Sequence, residues 1–261
     1  MIEANNDQLT FSFPEVHPDA RLVIEFQRTL RIPDGERDIP RLPSLGRYPV
    51  YTVEEHAQRV PRHWVDCGGA MLPMYQSEAM WLSFRPTYSL VHQAFYPFAV
   101  KIRAGGLDAL RGAKWIEGMH PWPQDYLVIT DHSWLGGFHT GGKGIKQFVA
   151  MPLGSGYLPD DGISSPNRFG RLELVAYPME GEAFSMRYPR DAWQERLPGL
   201  DLSVPVELAG NQEQDTGKDA LQRQRVEEGL FPIRDWDQSE PERYTMHLVN
   251  SLHWCAITGS P

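Results

Sequence analysis

The sequence predicts a mainly β protein, built as an antiparallel β-sandwich or a barrel-like fold with one or two short helices. Short apolar stretches with strand-like alternation follow one another closely before residue 180 and give about nine candidate strands. Gly and Pro together make 45 of the 261 residues (23 + 22), so the chain turns often. No helical pattern there is long enough for the crossover of about a dozen residues that parallel strands need. Consecutive strands are therefore expected to pair in opposite directions.

The first elements are two strands and a short helix. Apolar residues alternate with polar ones from Leu9 to Phe13 and from Leu22 to Phe26, and prolines separate the two stretches. Residues 32–50 contain several prolines that keep the backbone extended, which predicts a covering loop. Thr52 and Glu55 form a T-x-x-E capping box, so a helix of two turns is predicted at about residues 53–60.

From residue 70 onward, candidate strands follow at short intervals. Gly105-Gly106 lies between two of them and is a recognised hairpin signal. The strands predicted in this part lie at residues 71–75, 78–84, 96–102, 107–110, 126–129, 145–151, 171–177 and about 246–248.

The composition of the last third of the chain differs from that of the strand-rich part before it. Residues 209–220 are polar and turn-forming, and a surface helix is predicted near residues 218–229, capped by Thr216. We interpret the segment at about 209–230 as a polar insertion in a single β-rich domain of residues 1–261.

Composition excludes several classes of function. Lys and Arg total 25 and Asp and Glu total 34, so the formal charge is 25 − 34 = −9. This acidic balance argues against binding of nucleic acid or of an anionic membrane surface. A mean hydropathy of −0.44 argues against membrane spans. The N-terminal residues lack the basic start and apolar centre of a secretory signal, so a cytoplasmic location is expected.

The two cysteines predict neither a disulfide framework nor a zinc knuckle. Cys67 and Cys255 are separated by most of the chain, and neither has a second cysteine nearby. We therefore expect two free, buried thiols.

A glycine-rich segment invites a nucleotide-binding interpretation that its context does not favour. Residues 137–144 (GFHTGGKG) match G-x-x-x-x-G-K, but Gly144 stands where a phosphate loop needs Ser or Thr for magnesium. A β-rich stretch follows, whereas a phosphate loop precedes a helix. The prediction here is a flexible hairpin loop.

Two enzymatic alternatives rest on small groups of residues. Asp131, His132 and His139 are ligand types suited to zinc or iron, although their spacing matches no common ligand motif. The opposing interpretation is that these histidines cap turns or line a polar pocket. The other alternative uses Cys67, which follows His63 by four residues and precedes two glycines whose N–H groups could stabilise an oxyanion. On a helix the two side chains would share a face, but the glycines disfavour a helix. The alternative function is thus a metal-dependent or thiol-based hydrolytic enzyme.

Aromatic residues carry the leading hypothesis. Trp115, Trp122, Tyr126 and Trp134 fall in one Pro- and Gly-rich region together with His139. Trp and Tyr combine a wide apolar face with one polar group, which suits contact with a ring, a sugar or a protein. The competing interpretation is that these aromatics close the open end of a sandwich.

The leading prediction is a non-catalytic binding or assembly protein, without a cofactor, that uses the loops of residues 112–144. The five residues just named are its candidate ligand-binding residues, and a protein or a small-ring ligand is its expected partner. Self-association through an exposed strand edge is a further expectation and would produce a homo-oligomer.

Several segments together resemble a known family. They are PQDYLVI, SWLGGF, GIKQFVAMPLGSGY, GRLELVAYPM and HLVNSLHWCAITG, and they are similar to segments of a family of uncharacterised microbial proteins. The resemblance covers approximately residues 70–180 and the last fifteen or so. It implies no activity, cofactor or catalytic residue.

Overall fold

The protein is a sandwich-like arrangement of two β-sheets whose apolar faces share one core. A computed structural model describes residues 1–32, 43–140, 145–150, 170–190 and 230–259. The first sheet has five antiparallel strands in the spatial order β1 (Ile2–Asn5), β2 (Gln8–Ser12), β3 (Arg21–Leu30), β6 (Glu78–Pro86) and β12 (Ser133–Leu135).

The second sheet is larger and carries the loops discussed below. Its seven strands comprise the path β10 (Leu107–Asp108), β9 (Phe98–Ala104), β15 (Arg171–Pro178), β16 (Glu242–Asn250), β5 (Ala70–Met74) and β4 (Tyr51–Thr52), together with β11 (Leu127–Ile129), which pairs with β9. Two small hairpins consist of β7 (Tyr88–Ser89) with β8 (Ala94–Phe95) and β13 (Phe138–His139) with β14 (Ile145–Lys146). The predicted mainly β, sandwich-like fold is confirmed, and neither sheet closes into a barrel among the described strands.

Among the described strands, pairing follows the antiparallel expectation with one exception. Strands β16 and β5 run parallel, from Met246 opposite Ala70 to Asn250 opposite Met74. A parallel pair needs a long connection, and here most of the chain lies between the two strands in sequence. The expectation failed at this pair because it considered only strands that follow one another closely.

The core is formed by the alternating residues that predicted the strands. Leu22, Ile24 and Phe26 of β3 are fully buried and face the second sheet's Val100 and Ile102 across one cluster. The Gly105-Gly106 hairpin is confirmed, since the two glycines connect β9 to β10 in a two-residue turn. Gly105 has φ +64°, a conformation that glycine adopts without a steric penalty.

Helices account for the main errors of the sequence prediction. The helix predicted at residues 53–60 is only a single 3-10 turn, Glu54–His56, and no side chain caps it. Three short helices were not foreseen: α1 (Arg62–Cys67), α2 (Gly181–Arg187) and α3 (Ser251–Thr258). A second 3-10 turn spans Ile233–Asp235. The surface helix predicted near residues 218–229, like most of the polar insertion, lies outside the described residues.

Two segments of the chain pack on the outer face of the second sheet. Residues 112–125 lie over β9, where the Trp115 ring packs on the Lys101 ammonium. Helix α3 is the second segment, and a small apolar cluster joins its Ile257 to Met71 and Val249 of the sheet. No helix in the described ranges is long and apolar enough to cross a membrane.

Candidate functional site

A buried lysine fixes the loop of residues 112–125 to the second sheet. Lys101 is outward-facing on β9 but fully buried, because the loop lies over it. Its ammonium group donates to the carbonyl oxygens of Ile116 (2.8 Å) and Gly118 and to Asp125 Oδ2 (2.8 Å). All three donors of the ammonium therefore hold the same loop.

Asp125 completes this anchor from the other end of the loop. Besides the lysine, Asp125 accepts from the backbone N–H of His120 (2.8 Å), and its Oδ2 lies 2.8 Å from His120 Nδ1. The carboxylate is almost fully enclosed. Buried charges are tolerated when they are paired and fully hydrogen-bonded, and this pair meets both conditions. The two ends of segment 116–125 are thus tied at one point.

A second buried carboxylate, Asp108 on β10, lies in the same electrostatic environment. Its Oδ1 accepts from the N–H groups of Leu110 (3.0 Å) and Arg111 (2.9 Å), while Oδ2 has no hydrogen-bond partner within the described part of the chain. Burial raises the pKa of Asp108 to about 6, and the negative charge of Asp125 acts in the same direction. The proton-binding range of this group therefore extends close to neutrality.

Between its anchored ends, the loop exposes apolar side chains. Trp122 is 76% exposed and Ile116 is 53% exposed. A backbone hydrogen bond from Asp125 to His120 closes the turn that carries Trp122. The result is an ordered loop with an exposed indole at its turn, which we call the Trp122 loop (residues 116–125).

The five predicted ligand-binding residues do not share one site. Trp115 and Tyr126 are buried among the core residues, and the Trp115 ring packs against Lys101 and Arg103 on the outer face of the second sheet. Trp134 lies on β12 in the first sheet, where its ring meets Trp81 edge-on at 6.5 Å between centroids. His139 is half-buried in β13, and burial lowers its pKa. Of the five, Trp122 is the one that is largely exposed.

The predicted metal ligands also have separate environments. Asp131 is exposed and accepts from the Ser133 hydroxyl (3.1 Å), and the His132 ring packs 5.1 Å from that of Phe95. The backbone N–H of His139 donates to the carbonyl of Ala109 (2.8 Å). Within the described ranges, no three His, Cys, Asp or Glu side chains are grouped so that they could hold a metal ion. The described positions of Asp131, His132 and His139 therefore do not support the zinc or iron alternative.

The geometry of His63 and Cys67, on which the thiol alternative rests, differs from the one expected. Helix α1 does form, so His63 and Cys67 lie one turn apart on one face, although the glycines had disfavoured this. Both Cys67 and Cys255 are free, as expected, but they are exposed, so the prediction of buried thiols was wrong. Cys67 Sγ accepts a hydrogen bond from Arg171 Nη1 at 3.6 Å. The sulfur is thus placed beside a guanidinium group.

The predicted hairpin loop meets the structure only in part. Strands β13 and β14, which flank the glycine-rich loop, pair antiparallel as a hairpin requires, but residues 141–144 lie outside the described residues. A cavity of about 700 Å³ lies away from the loops of residues 112–144, between the end of β2 and α2. Its lining includes carboxylates such as Glu180, whose pKa is raised by burial.

Sequence reasoning missed the residues that order the loop. Lys101 stands within the apolar strand sequence Phe-Ala-Val-Lys-Ile, and a lysine in a buried strand is uncommon unless it is paired. That signal was available, but the identity of its partners was not, because Asp125 lies 24 residues further along the chain.

Comparisons with known proteins add no assignment. No family model matches the chain, and neither the curated proteins nor the solved structures include a significant match.

Proposed function

We propose that the chain is a non-catalytic binding protein whose contact surface is the Trp122 loop, and that its partner is another protein with an apolar pocket. The observation that carries this proposal is a Trp that is 76% exposed on a loop held at both ends by a buried lysine. Ordering of such a loop occurs on folding, so little conformational entropy remains to be lost on binding.

The chemistry of the loop favours a protein partner. Trp is enriched among the residues that dominate binding energy at protein interfaces. Ile116 extends the apolar surface of the same loop. A branched aliphatic side chain packs well in an apolar protein pocket, whereas it offers no hydrogen bond to the hydroxyl groups of a sugar.

The test compares the full chain with two single variants. The wild type, Trp122→Ala and Leu252→Ala are immobilised and exposed to a lysate of the source cells. Leu252 is the control because it is an apolar residue that is 71% exposed on α3, outside the loop. Retained proteins are quantified by mass spectrometry, and the affinity of a purified partner is then measured by calorimetry.

We expect one partner that both the wild type and Leu252→Ala bind, with an affinity at least about tenfold weaker for Trp122→Ala. Equal binding by all three chains would overturn the proposal. Two other results would replace the protein partner with the alternatives from the sequence. A dimer in light scattering that Trp122→Ala dissociates would identify a second copy of the chain. A glycan-array signal lost in the same variant would identify a ring ligand.

A further inference from the structure

The cavity of about 700 Å³ between the end of β2 and α2 lies where ends of the two sheets meet. One wall is formed by residues 12–17, in the turn from β2 to β3, and the other by the start of α2 and residues 237–242. Gly181 allows the walls to approach closely, since a Cβ there would lie 2.5 Å from the Val16 carbonyl oxygen. The volume lies within the range of small-molecule sites, about 300–1,000 Å³.

Carboxylates dominate the charged lining of this cavity. Six of the fourteen described residues that line it are acidic, and none of the fourteen is Lys or Arg. The six are Glu15, Glu180, Glu182, Asp237, Glu240 and Glu242. Glu242 pairs with the amino group of Met1, and burial lowers the pKa of His17, so this imidazole is neutral at pH 7. Six acidic side chains thus face one cationic group.

Two arginines in and after α2 do not balance these charges. Arg187 donates through Nε to Asp235 Oδ2 (2.8 Å), and neither residue lines the cavity. Arg190 acts electrostatically on His17 but does not line the cavity either. Partial burial raises the pKa of Glu180, and the negative charges of Asp237 and Glu182 raise it further. The carboxylates are therefore close enough to repel one another.

Asp237 indicates that the missing positive charge comes from outside the chain. It is only 8% exposed, and its Oδ1 accepts from the backbone N–H (2.9 Å) and the hydroxyl (2.5 Å) of Ser239. Within the described ranges, its Oδ2 has no hydrogen-bond partner, and no Lys, Arg or His pairs with the carboxylate. Buried carboxylates are normally paired with a positive charge. This one lines a cavity, where a cationic ligand can reach it.

The arrangement of the carboxylates favours a ligand with several separate charges. A metal ion needs oxygen ligands that converge on one point. No three acidic, His or Cys side chains are grouped in this way in the part of the chain that the structure describes. Phe13 and Val16 add apolar surface to the lining. A chain of ammonium groups separated by methylene groups can contact both kinds of surface, as the stem and head of a lysine do.

We propose that this cavity binds an alkyl polyamine, with one ammonium group on Asp237 and the others on exposed carboxylates such as Glu182. Hydrogen bonds between an ammonium group and a carboxylate are stronger than those between neutral groups. The ligand would also give Asp237 the charge partner that it lacks among the described residues. The cavity shares no lining residue with the Trp122 loop, so the inference does not rest on the proposed protein partner.

Calorimetry with spermidine, at constant ionic strength set by sodium chloride, tests the proposal. Asp237→Asn should bind spermidine at least about tenfold more weakly than the wild type. The variant keeps an oxygen that can accept from Ser239, so the local fold is retained. Glu182→Gln should weaken binding about threefold, since water screens the charge of this exposed side chain. If Asp237→Asn fails to fold, Glu182→Gln decides the outcome.

The matched control is Asp131→Asn. Asp131 also accepts from the hydroxyl of a serine two residues further on (Ser133, 3.1 Å), but it does not line the cavity. Asp131→Asn and Asp237→Asn change the charge of the chain equally, so a general attraction between a polycation and an acidic protein would be weakened equally in both. The affinity for spermidine should be unchanged in Asp131→Asn.

Three other titrations with the wild type identify the class of cation. Butylamine, which has a single ammonium group, and Mg²⁺ should each bind at least about tenfold more weakly than spermidine. Equal or tighter binding of either would overturn the polyamine, as would tighter binding of trilysine, which would indicate a basic peptide. Absence of spermidine binding by the wild type, or equal affinities in the wild type and the cavity variants that fold, would overturn the site itself.

Discussion

Replacing Lys101 with Met should destabilise the protein and loosen the Trp122 loop. The variant keeps most of the apolar stem but removes a buried ion pair and the hydrogen bonds to the carbonyls of Ile116 and Gly118. Asp125 would remain enclosed with a charge that, among the described residues, only His120 still contacts. Leaving one partner of a buried pair uncompensated costs about 3–5 kcal/mol. Urea denaturation followed by far-ultraviolet circular dichroism measures this loss, and hydrogen exchange of amides 116–125 measures the loosening.

Two comparisons separate the role of the anchor from a general effect of losing a lysine. Lys114→Met removes an exposed lysine two residues before the Trp122 loop and should change the free energy of unfolding by less than about 0.5 kcal/mol. The double variant Lys101→Met/Asp125→Asn removes both charges and should be less destabilised than the sum of the two single variants. The reasoning fails if Lys101→Met costs less than about 1 kcal/mol, a loss typical of an ordinary substitution. It also fails if amide exchange in the loop is unchanged.

Three further outcomes follow from buried groups. Burial raises the pKa of Asp108 to about 6 in the folded protein, from a reference value of 3.8. Its contribution to stability is therefore present below pH 3.8 and is lost as pH rises through 6, on the order of 3 kcal/mol. Melting curves recorded between about pH 4 and 7 should show this loss in the wild type but not in Asp108→Asn. Burial lowers the pKa of His247 from 6.5 to about 4. The contribution of the neutral imidazole to stability is therefore present above pH 6.5 and is lost, by a similar amount, as pH falls through 4. His247→Phe should remove this loss of stability at low pH from melting curves. Gly69→Ala should lower the free energy of unfolding by more than about 2 kcal/mol in urea denaturation, because at φ +99° its Cβ would lie 2.1 Å from the Thr245 carbonyl oxygen. Gly118→Ala, which has open space at φ +77°, should lower it by about 1 kcal/mol. Equal losses in the two variants would show that the close contact at Gly69 relaxes.

The strands were predictable because their signal is local. Alternation of apolar residues, as in Leu22, Ile24 and Phe26, reflects the period of two along a strand whose one face is buried. The Gly105-Gly106 turn is local for the same reason. The parallel pairing of β16 with β5 was not predictable in this way, since it depends on where the end of the chain returns in space.

Helices α1 and α2 were missed because they are short and have no side-chain N-cap, whereas α3 is capped by Asn250, whose side chain accepts from the His253 backbone N–H. Helix α1 has six residues, no side-chain cap and no buried residue, so its sequence contains little that distinguishes it from a loop. Conversely, the capping box at Thr52 and Glu55 predicted a helix that is only one 3-10 turn. Nucleating a helix is costly, and a short segment gains most of its stability from packing that the sequence does not display.

The sequence predicted the region of the candidate site but not the contacts that hold its loop in place. Trp122 was among the predicted contact residues, and the structure leaves it exposed, but Trp115 and Tyr126 were assigned the same role and are core residues. Exposure of an aromatic residue depends on which partners cover it, and for Trp115 the cover includes the side chains of Lys101 and Arg103 from a distant strand. Sequence position alone does not separate these cases.

Two kinds of contact connect the Trp122 loop to the second sheet: an exposed ion pair of Glu117 with Arg243 and the buried hydrogen bonds of Lys101. Glu117 Oε1 accepts from Trp115 Nε1 at 2.8 Å, while its other oxygen accepts from Arg243. In Glu117→Gln the loop would lose this exposed ion pair but keep the three buried hydrogen bonds of Lys101. Because an exposed pair contributes about 0–1 kcal/mol and a buried pair resists removal of one partner by several kcal/mol, the order of the loop depends on Lys101 and not on Glu117. Glu117→Gln should therefore leave the hydrogen exchange of amides 116–125 unchanged, in contrast to Lys101→Met.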